Sequence, residues 1–222
     1  MELHQIESNL KNPDFQYRLK AIAALKDYES DIAIPLLRSK LHDSEFLVRS
    51  FVAMGFGKQQ TAESFGALIE MVKFDDTPNV RAEAANSLSL FGHVAVSHLV
   101  LAFYQDDHWL VRRSILAAMV EMQCPEELFD VCGIALQDED FTVRESAIES
   151  LGTLSGTNQH QQALTKLLEF VNHESYRIRL RVASSLKRFH QPEAKKALQI
   201  LRQDENHHVV AAALENLLPQ PE

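Results

Sequence analysis

The sequence predicts an all-α fold, a solenoid of about seven helical hairpins in a right-handed superhelix that forms one domain over residues 1–222. Three observations support this prediction: a residue pattern that recurs seven times, apolar positions at helical spacing, and few turn-forming residues. The chain has only seven glycines and seven prolines, fewer than sandwiches and barrels usually place in their turns. Its 45% hydrophobic and 24% charged residues are typical of a globular protein with a sizeable core.

The repeat is clearest in a column of arginines. Consecutive members are separated by 31, 32, 31, 32 and 35 residues, and a seventh copy has Val210 in this position. The arginine column is Arg18, Arg49, Arg81, Arg112, Arg144 and Arg179. The column six residues earlier is Asn12, Asp43, Asp75, Asp106, Asp138, His173 and Asp204. Agreement over seven copies indicates structural repeats, each a unit that must stack on its neighbours to bury a core.

Each copy predicts the second helix of a hairpin. Counted from the arginine, the apolar positions −1, +3, +4 and +7 form one helical stripe. Residues four before the arginine position, among them Asp14, Thr77, Asp140, Ser175 and Asn206, are suited to cap a helix. The predicted second helices lie near 15–26, 46–56, 78–91, 109–122, 141–153, 176–188 and 207–217. Shorter apolar segments between them predict the first helices, and Gly57, Gly92 and Gly152 are predicted C-terminal caps.

The arginine falls at the centre of the predicted buried stripe. A buried guanidinium requires a partner, and the aspartate six residues earlier, in its own or a neighbouring repeat, can supply one. Because six copies of a pair do not make a catalytic site, the columns predict a structural ladder that sets the register of the repeats. Its predicted members are Asp43, Arg49, Asp75, Arg81, Asp106, Arg112, Asp138 and Arg144.

The repeat also carries a family resemblance. The pattern L-x-D-(x)4-V-R-x-x-A-x-x-x-L, present as LQDEDFTVRESAIESL at residues 136–151, resembles the short HEAT-like repeats of the phycobilisome-lyase family. That family includes cyanobacterial bilin lyase subunits and proteins of phycobilisome turnover. The resemblance covers essentially the whole chain. It implies a HEAT-like solenoid, and it implies a phycobiliprotein or another phycobilisome component as the partner.

Candidate partner-binding residues occupy positions −2, +1, +2 and +5, which face away from the stripe. In the second repeat these positions include Leu47, Phe51 and Met54, an apolar cluster that predicts an interface unless Phe51 packs against a neighbouring second helix. The remaining candidates are Leu110, Arg113, Arg177 and Arg181. The last two could bind carboxylates such as bilin propionates, or could pair locally with Glu145 or Glu149.

Charge and composition restrict the class of partner. The net charge is −9, and no basic run stands out, which argues against nucleic acid. The first ten residues do not resemble a signal peptide, and no stretch reaches the roughly 18 apolar residues of a membrane span. Two cysteines do not form a disulfide framework, so a reducing, cytoplasmic location is expected.

No catalytic or metal-binding motif is found. There is no Gly-rich phosphate loop, no His-Glu-x-x-His and no Cys-x-x-Cys. HEAT-like deoxyhypusine hydroxylases bind two irons through repeated His-Glu pairs, whereas only His173-Glu174 matches here. Cys132 is predicted in the core, and Cys124, before Pro125, is predicted as the more accessible thiol. We therefore expect no metal and no resident cofactor, with a bilin as the alternative.

The sequence leaves three functions open. The first is a non-catalytic adaptor or chaperone that binds a folded protein in a concave groove. The second is a bilin lyase or lyase subunit, the one enzymatic activity that the resemblance implies. The third is an accessory factor for metal or iron–sulfur assembly that uses Cys124 and nearby histidines.

Overall fold

A computed structural model describes residues 1–215, and over this part of the chain it contains fourteen α-helices and no strand. The all-α prediction is therefore confirmed. Residues 216–217 of the predicted last helix lie outside the described residues. The helices are α1 (Leu3–Leu10), α2 (Phe15–Ala24), α3 (Ser30–Arg38), α4 (Phe46–Gln59), α5 (Ala62–Phe74), α6 (Pro78–Ser89), α7 (Val96–Gln105), α8 (Trp109–Glu121), α9 (Pro125–Ala135), α10 (Phe141–Thr153), α11 (His160–Leu168), α12 (Tyr176–Leu186), α13 (Pro192–Leu201) and α14 (His207–Leu214).

The helices form hairpins in two compact units, residues 1–122 with α1–α8 and the residues from 123 onward with α9–α14. In every hairpin the odd-numbered helix packs against the even-numbered helix that follows it. The even-numbered helices also pack side by side, α2 to α8 in the first unit and α10 to α14 in the second. Each second helix therefore buries its stripe against its own hairpin and the adjacent ones.

The even-numbered helices all begin three residues before the arginine column. The side chains of Asp14, Asp140 and Asn206 accept hydrogen bonds from first-turn amides, as N-caps do. Thr77 precedes α6, but its hydroxyl oxygen accepts a hydrogen bond from Arg49 Nη2 at 3.0 Å instead of capping the helix. The cap residue of α6 thus joins two repeats.

The arginine column forms a ladder of ion pairs to the next repeat. Arg81 shows the geometry: its Nε and Nη2 lie 2.6 and 3.1 Å from the two carboxylate oxygens of Asp106. Such a two-point contact is the strongest form of a guanidinium–carboxylate pair. Arg49–Asp75 in the first unit and Arg179–Asp204 in the second make the same two-point contact. Arg18 contacts Asp43 through Nη2 alone, at 2.8 Å.

The six-residue spacing within a repeat has a separate cause. Arg81 Nη1 donates to the backbone carbonyl of Asp75 at 3.0 Å, so the residue six before the arginine contributes its main chain to that arginine. The Asp75 carboxylate accepts the Thr77 amide at 2.9 Å and pairs with Arg49 of the preceding repeat. One aspartate therefore fixes a loop, a helix start and the contact between two repeats.

The ladder is interrupted at Arg144, which was predicted as a full member. The following repeat has His173 in the aspartate column, and its Nδ1 accepts the Ser175 amide at 3.0 Å. Arg144 still donates to the Asp138 carbonyl at 2.9 Å, and its guanidinium lies 5.2 Å from the Phe141 ring centroid. Within residues 1–215, however, it forms no ion pair with the following repeat, and its Nε has no hydrogen bond. It interacts electrostatically with Asp140, just before α10.

Two of the three predicted glycine caps are corrected by the structure. Gly57 and Gly152 lie inside α4 and α10, not beyond their ends. A Cβ atom at either position would lie 2.8 Å from the Cβ of a serine on the next second helix, Ser87 or Ser185. These glycines therefore permit the close approach of adjacent helices. Gly92, with φ of +71°, has the left-handed conformation expected after a helix end.

Candidate binding groove

The second helices α2, α4 and α6 line an open depression of about 520 Å³ in the first unit, called here the α2–α6 groove. Its apolar surface includes Ile22, Phe51, Met54 and Leu90. Its charged lining side chains are Lys26, Lys58 and Glu83.

The apolar surface follows from the position of each residue on its helix. Phe51 and Met54 lie at +2 and +5 from Arg49, about 200° and 140° around the helix from the side that pairs with Asp75. Met54 is 49% exposed, whereas Phe51 is half-buried among the neighbouring helices. Leu90, just after α6, is also exposed. The groove therefore leaves large apolar side chains in contact with water.

Glu83 gives the groove an unusual carboxylate. It lies at +2 in α6, the position that Phe51 has in α4, and it is half-buried. Burial in this apolar setting raises its pKa above the ordinary glutamate value, because desolvation disfavours the charged form. No residue of the described chain makes a hydrogen bond or an ion pair with it. Lys26 and Lys58 are exposed and place two positive charges among the groove's lining residues.

The structure brings together only part of the predicted site. Phe51 and Met54 line the groove, whereas Leu47 is exposed on the same helix but is not a lining residue. On α8, Leu110 is half-buried and Arg113 is exposed, and neither lines the groove.

The two predicted carboxylate-binding arginines are paired locally. Arg177 Nε lies 2.8 Å from Glu145 Oε1, and Arg181 Nη1 lies 2.7 Å from Glu149 Oε1. Arg177 also lies over the Phe141 ring, 4.5 Å from its centroid. Of the two alternatives for these arginines, the structure shows pairing between α10 and α12. An external carboxylate would have to compete with two glutamates.

Several groove residues were missed by the sequence analysis, although the repeat columns point to some of them. Applying positions +2 and +5 to the first and third repeats gives Lys20, Ala23, Glu83 and Asn86, and the last three line the groove. Lys26 and Leu90 lie beyond +5, near the ends of their helices, where only the packing of adjacent repeats decides which side chains meet.

Cys124 is the more exposed of the two thiols, as predicted, but it is nevertheless buried. Cys124 is only 3% exposed, Cys132 is fully buried, and neither forms a disulfide. Burial raises the pKa of both thiols, which disfavours the thiolate that binds metals. Among residues 1–215, no three His, Cys, Asp or Glu side chains are grouped so that they could hold a metal ion. The accessory-factor hypothesis thus loses the residue on which it depended.

Comparison with known proteins shows which solved structures share this fold. No α-helix within the described residues is long and apolar enough to cross a membrane. No curated protein matches the sequence significantly. The chain is similar in structure to YibA of Escherichia coli, with TM-score 0.63 and 15% identity over 98% of this chain and 92% of that one. It is also similar to the complex of CpcE and CpcF of phycocyanin lyase from Nostoc sp. PCC7120, with TM-score 0.55 and 16% identity over 98% and 95% of the chains.

These two likenesses concern the fold alone, whereas the sequence itself matches a family. The model of HEAT repeats matches residues 5–89, 34–120, 97–169 and 130–218, which together span nearly the whole sequence. Its matched segments include the Arg–Asp ladder and the helices of the α2–α6 groove. The chain belongs to the HEAT-repeat family.

Proposed function

We propose that this chain is a non-catalytic protein-binding scaffold, an adaptor or chaperone whose partner occupies the α2–α6 groove. The observation that supports the proposal is the apolar surface of Phe51, Met54 and Leu90 beside charged side chains. Contiguous exposed apolar side chains with a polar surround are typical of protein interfaces. HEAT repeats supply such surfaces through stacked helices.

The proposed partner is a phycobiliprotein or another component of phycobilisome assembly or turnover, and the proposed location is the cytoplasm. Two observations support this choice. The repeat pattern at residues 136–151 resembles that of the phycobilisome-lyase family. The fold is similar to that of the phycocyanin lyase complex of CpcE and CpcF.

A bilin lyase or lyase subunit is the second candidate, because the dimensions and charge of the groove suit a tetrapyrrole. Its volume of about 520 Å³ lies within the range of small-molecule sites. Lys26 and Lys58 could bind the two propionate carboxylates while the apolar surface contacts the pyrrole rings.

Affinity capture from a lysate of the source organism tests the proposal. We expect Met54→Glu to lose at least one protein that the parent chain captures, because the substitution puts a charge in the apolar surface. Ile134→Glu is the matched control: Ile134 is 47% exposed on α9, close to the 49% of Met54, and is not a groove residue. It should capture the same proteins as the parent.

Three outcomes separate the alternatives. A phycobiliprotein among the proteins lost with Met54→Glu supports the proposed partner. Free bilin retained by the parent chain, seen as visible absorption without a captured protein, favours the lyase alternative. If the parent and both variants capture the same proteins, the groove is not the binding surface and the proposed function is wrong.

A further inference from the structure

Glu83 differs from the other shielded carboxylates of the first unit. Asp43, Asp75 and Asp106 each pair with an arginine of the preceding repeat. Glu83 is half-buried in the apolar groove, and the described chain offers it no such partner. A carboxylate in an apolar setting gains most from a cation that also donates a hydrogen bond. In the described part of the free protein, Glu83 is therefore a carboxylate without a cationic partner at the proposed interface.

We propose that the partner inserts an amphipathic α-helix into the groove and places a lysine or arginine side chain against Glu83. This inference rests on the proposed function and specifies the partner segment. Apolar side chains of that helix contact Phe51 and Met54. Acidic side chains on its flanks lie near Lys26 and Lys58.

A helix fits better than an extended segment for structural reasons. Extended peptides commonly bind by adding a strand to an exposed sheet edge, and residues 1–215 contain no strand. The groove is instead lined by three packed helices, and an amphipathic helix binds such surfaces with residues at i, i+3 or i+4, and i+7.

The charges define which helix fits. An acidic residue opposite Glu83 would place two carboxylates together in an apolar setting, whereas a basic residue there forms a shielded pair. Lys26 and Lys58 attract acidic residues and repel additional basic ones. The alternation of charge therefore selects the register and the direction of the bound helix more than it adds affinity.

Matched synthetic peptides test this inference. The probes are 16-residue helical peptides with leucine at i, i+4 and i+7, in triplets that differ only by lysine, glutamine or glutamate at one position. That position is moved through every place that flanks the leucines, so that the register need not be known. We expect at least one lysine peptide to bind the full chain about ten-fold more tightly than its glutamine and glutamate counterparts.

Glu83→Gln should abolish this preference for lysine while retaining the binding that the leucines provide. The variant should also be more stable than the parent at neutral pH. Because the folded-state pKa of Glu83 is raised, the ionised carboxylate disfavours folding at neutral pH, and this penalty disappears as the pH falls below the unfolded-state value. A loss of lysine preference in a more stable protein cannot be attributed to unfolding.

Three results would overturn the inference. The first is equal binding within every triplet, and the second is a lysine preference that persists in Glu83→Gln. The third is that no peptide binding depends on Met54. If lysate capture nevertheless shows a partner that depends on Met54, the scaffold function stands and only the helical, basic partner segment is excluded. If capture shows no such partner, the proposed function itself fails.

Discussion

Replacing Arg81 with alanine is expected to lower the free energy of unfolding by about 3–5 kcal/mol. The Arg81 and Asp106 side chains are only 16% and 8% exposed and form two contacts, at 2.6 and 3.1 Å. Removing the guanidinium leaves a shielded carboxylate without its cation, and it also removes the donor to the Asp75 carbonyl. Urea denaturation followed by circular dichroism measures the loss.

Arg38→Ala is the control for this prediction. Arg38 also pairs with a glutamate of the next hairpin, Glu63, at 3.3 Å, but the two side chains are 49% and 53% exposed. An exposed pair of this kind contributes about 0–1 kcal/mol. Similar losses for Arg38→Ala and Arg81→Ala would show that the ladder does not stabilise the contact between repeats.

Gly57→Ala is expected to lower the free energy of unfolding by about 1–3 kcal/mol, because it overpacks the contact between α4 and α6. The new Cβ would lie 2.8 Å from the Cβ and 3.1 Å from the Cα of Ser87. A backbone atom cannot move aside as the end of a flexible side chain can, so the two helices must separate. Thermal unfolding measures the effect.

Gly66→Ala should have the opposite sign. Gly66 is exposed within α5, and nothing lies within 4 Å of a Cβ placed there. Alanine is favoured over glycine in a helix interior by roughly 0.5–1 kcal/mol, so this variant should be more stable than the parent. If both alanine variants are stabilised, the close approach at Gly57 does not limit the packing.

Much of the fold could be predicted because the residue pattern of one helical hairpin recurs in every repeat. The arginine column predicted where the second helix of each hairpin lies, and the even-numbered helices, from α2 at Phe15 onward, lie at those positions. A pattern confined to one repeat could not, however, show which repeat supplies each partner. Arg81, for example, has one candidate carboxylate in its own repeat, Asp75, and another in the next repeat, Asp106. Only packing shows that it pairs with Asp106 while it takes the backbone carbonyl of Asp75.

The glycines and the groove depend on contacts between helices, which the pattern of a single helix does not predict. A glycine near an expected helix end indicates a cap, and this was misleading at Gly57, where the requirement for a glycine comes from Ser87 on another helix. The apolar pair Phe51 and Met54 was predicted from one helix. The role of Glu83 depends on three adjacent helices, because its apolar setting and its lack of a partner exist only after they pack.

A partner in the α2–α6 groove must cover Met54, and protection of this methionine from oxidation tests that placement directly. Met54 and Met1 are 49% and 50% exposed, so dilute peroxide should convert both to the sulfoxide in the free chain. In the complex with the captured partner, mass spectrometry should show that oxidation of Met54 slows several-fold while that of Met1 is unchanged. If Met54 is oxidised in the complex as fast as in the free chain, the partner binds elsewhere and the α2–α6 groove is not the binding surface.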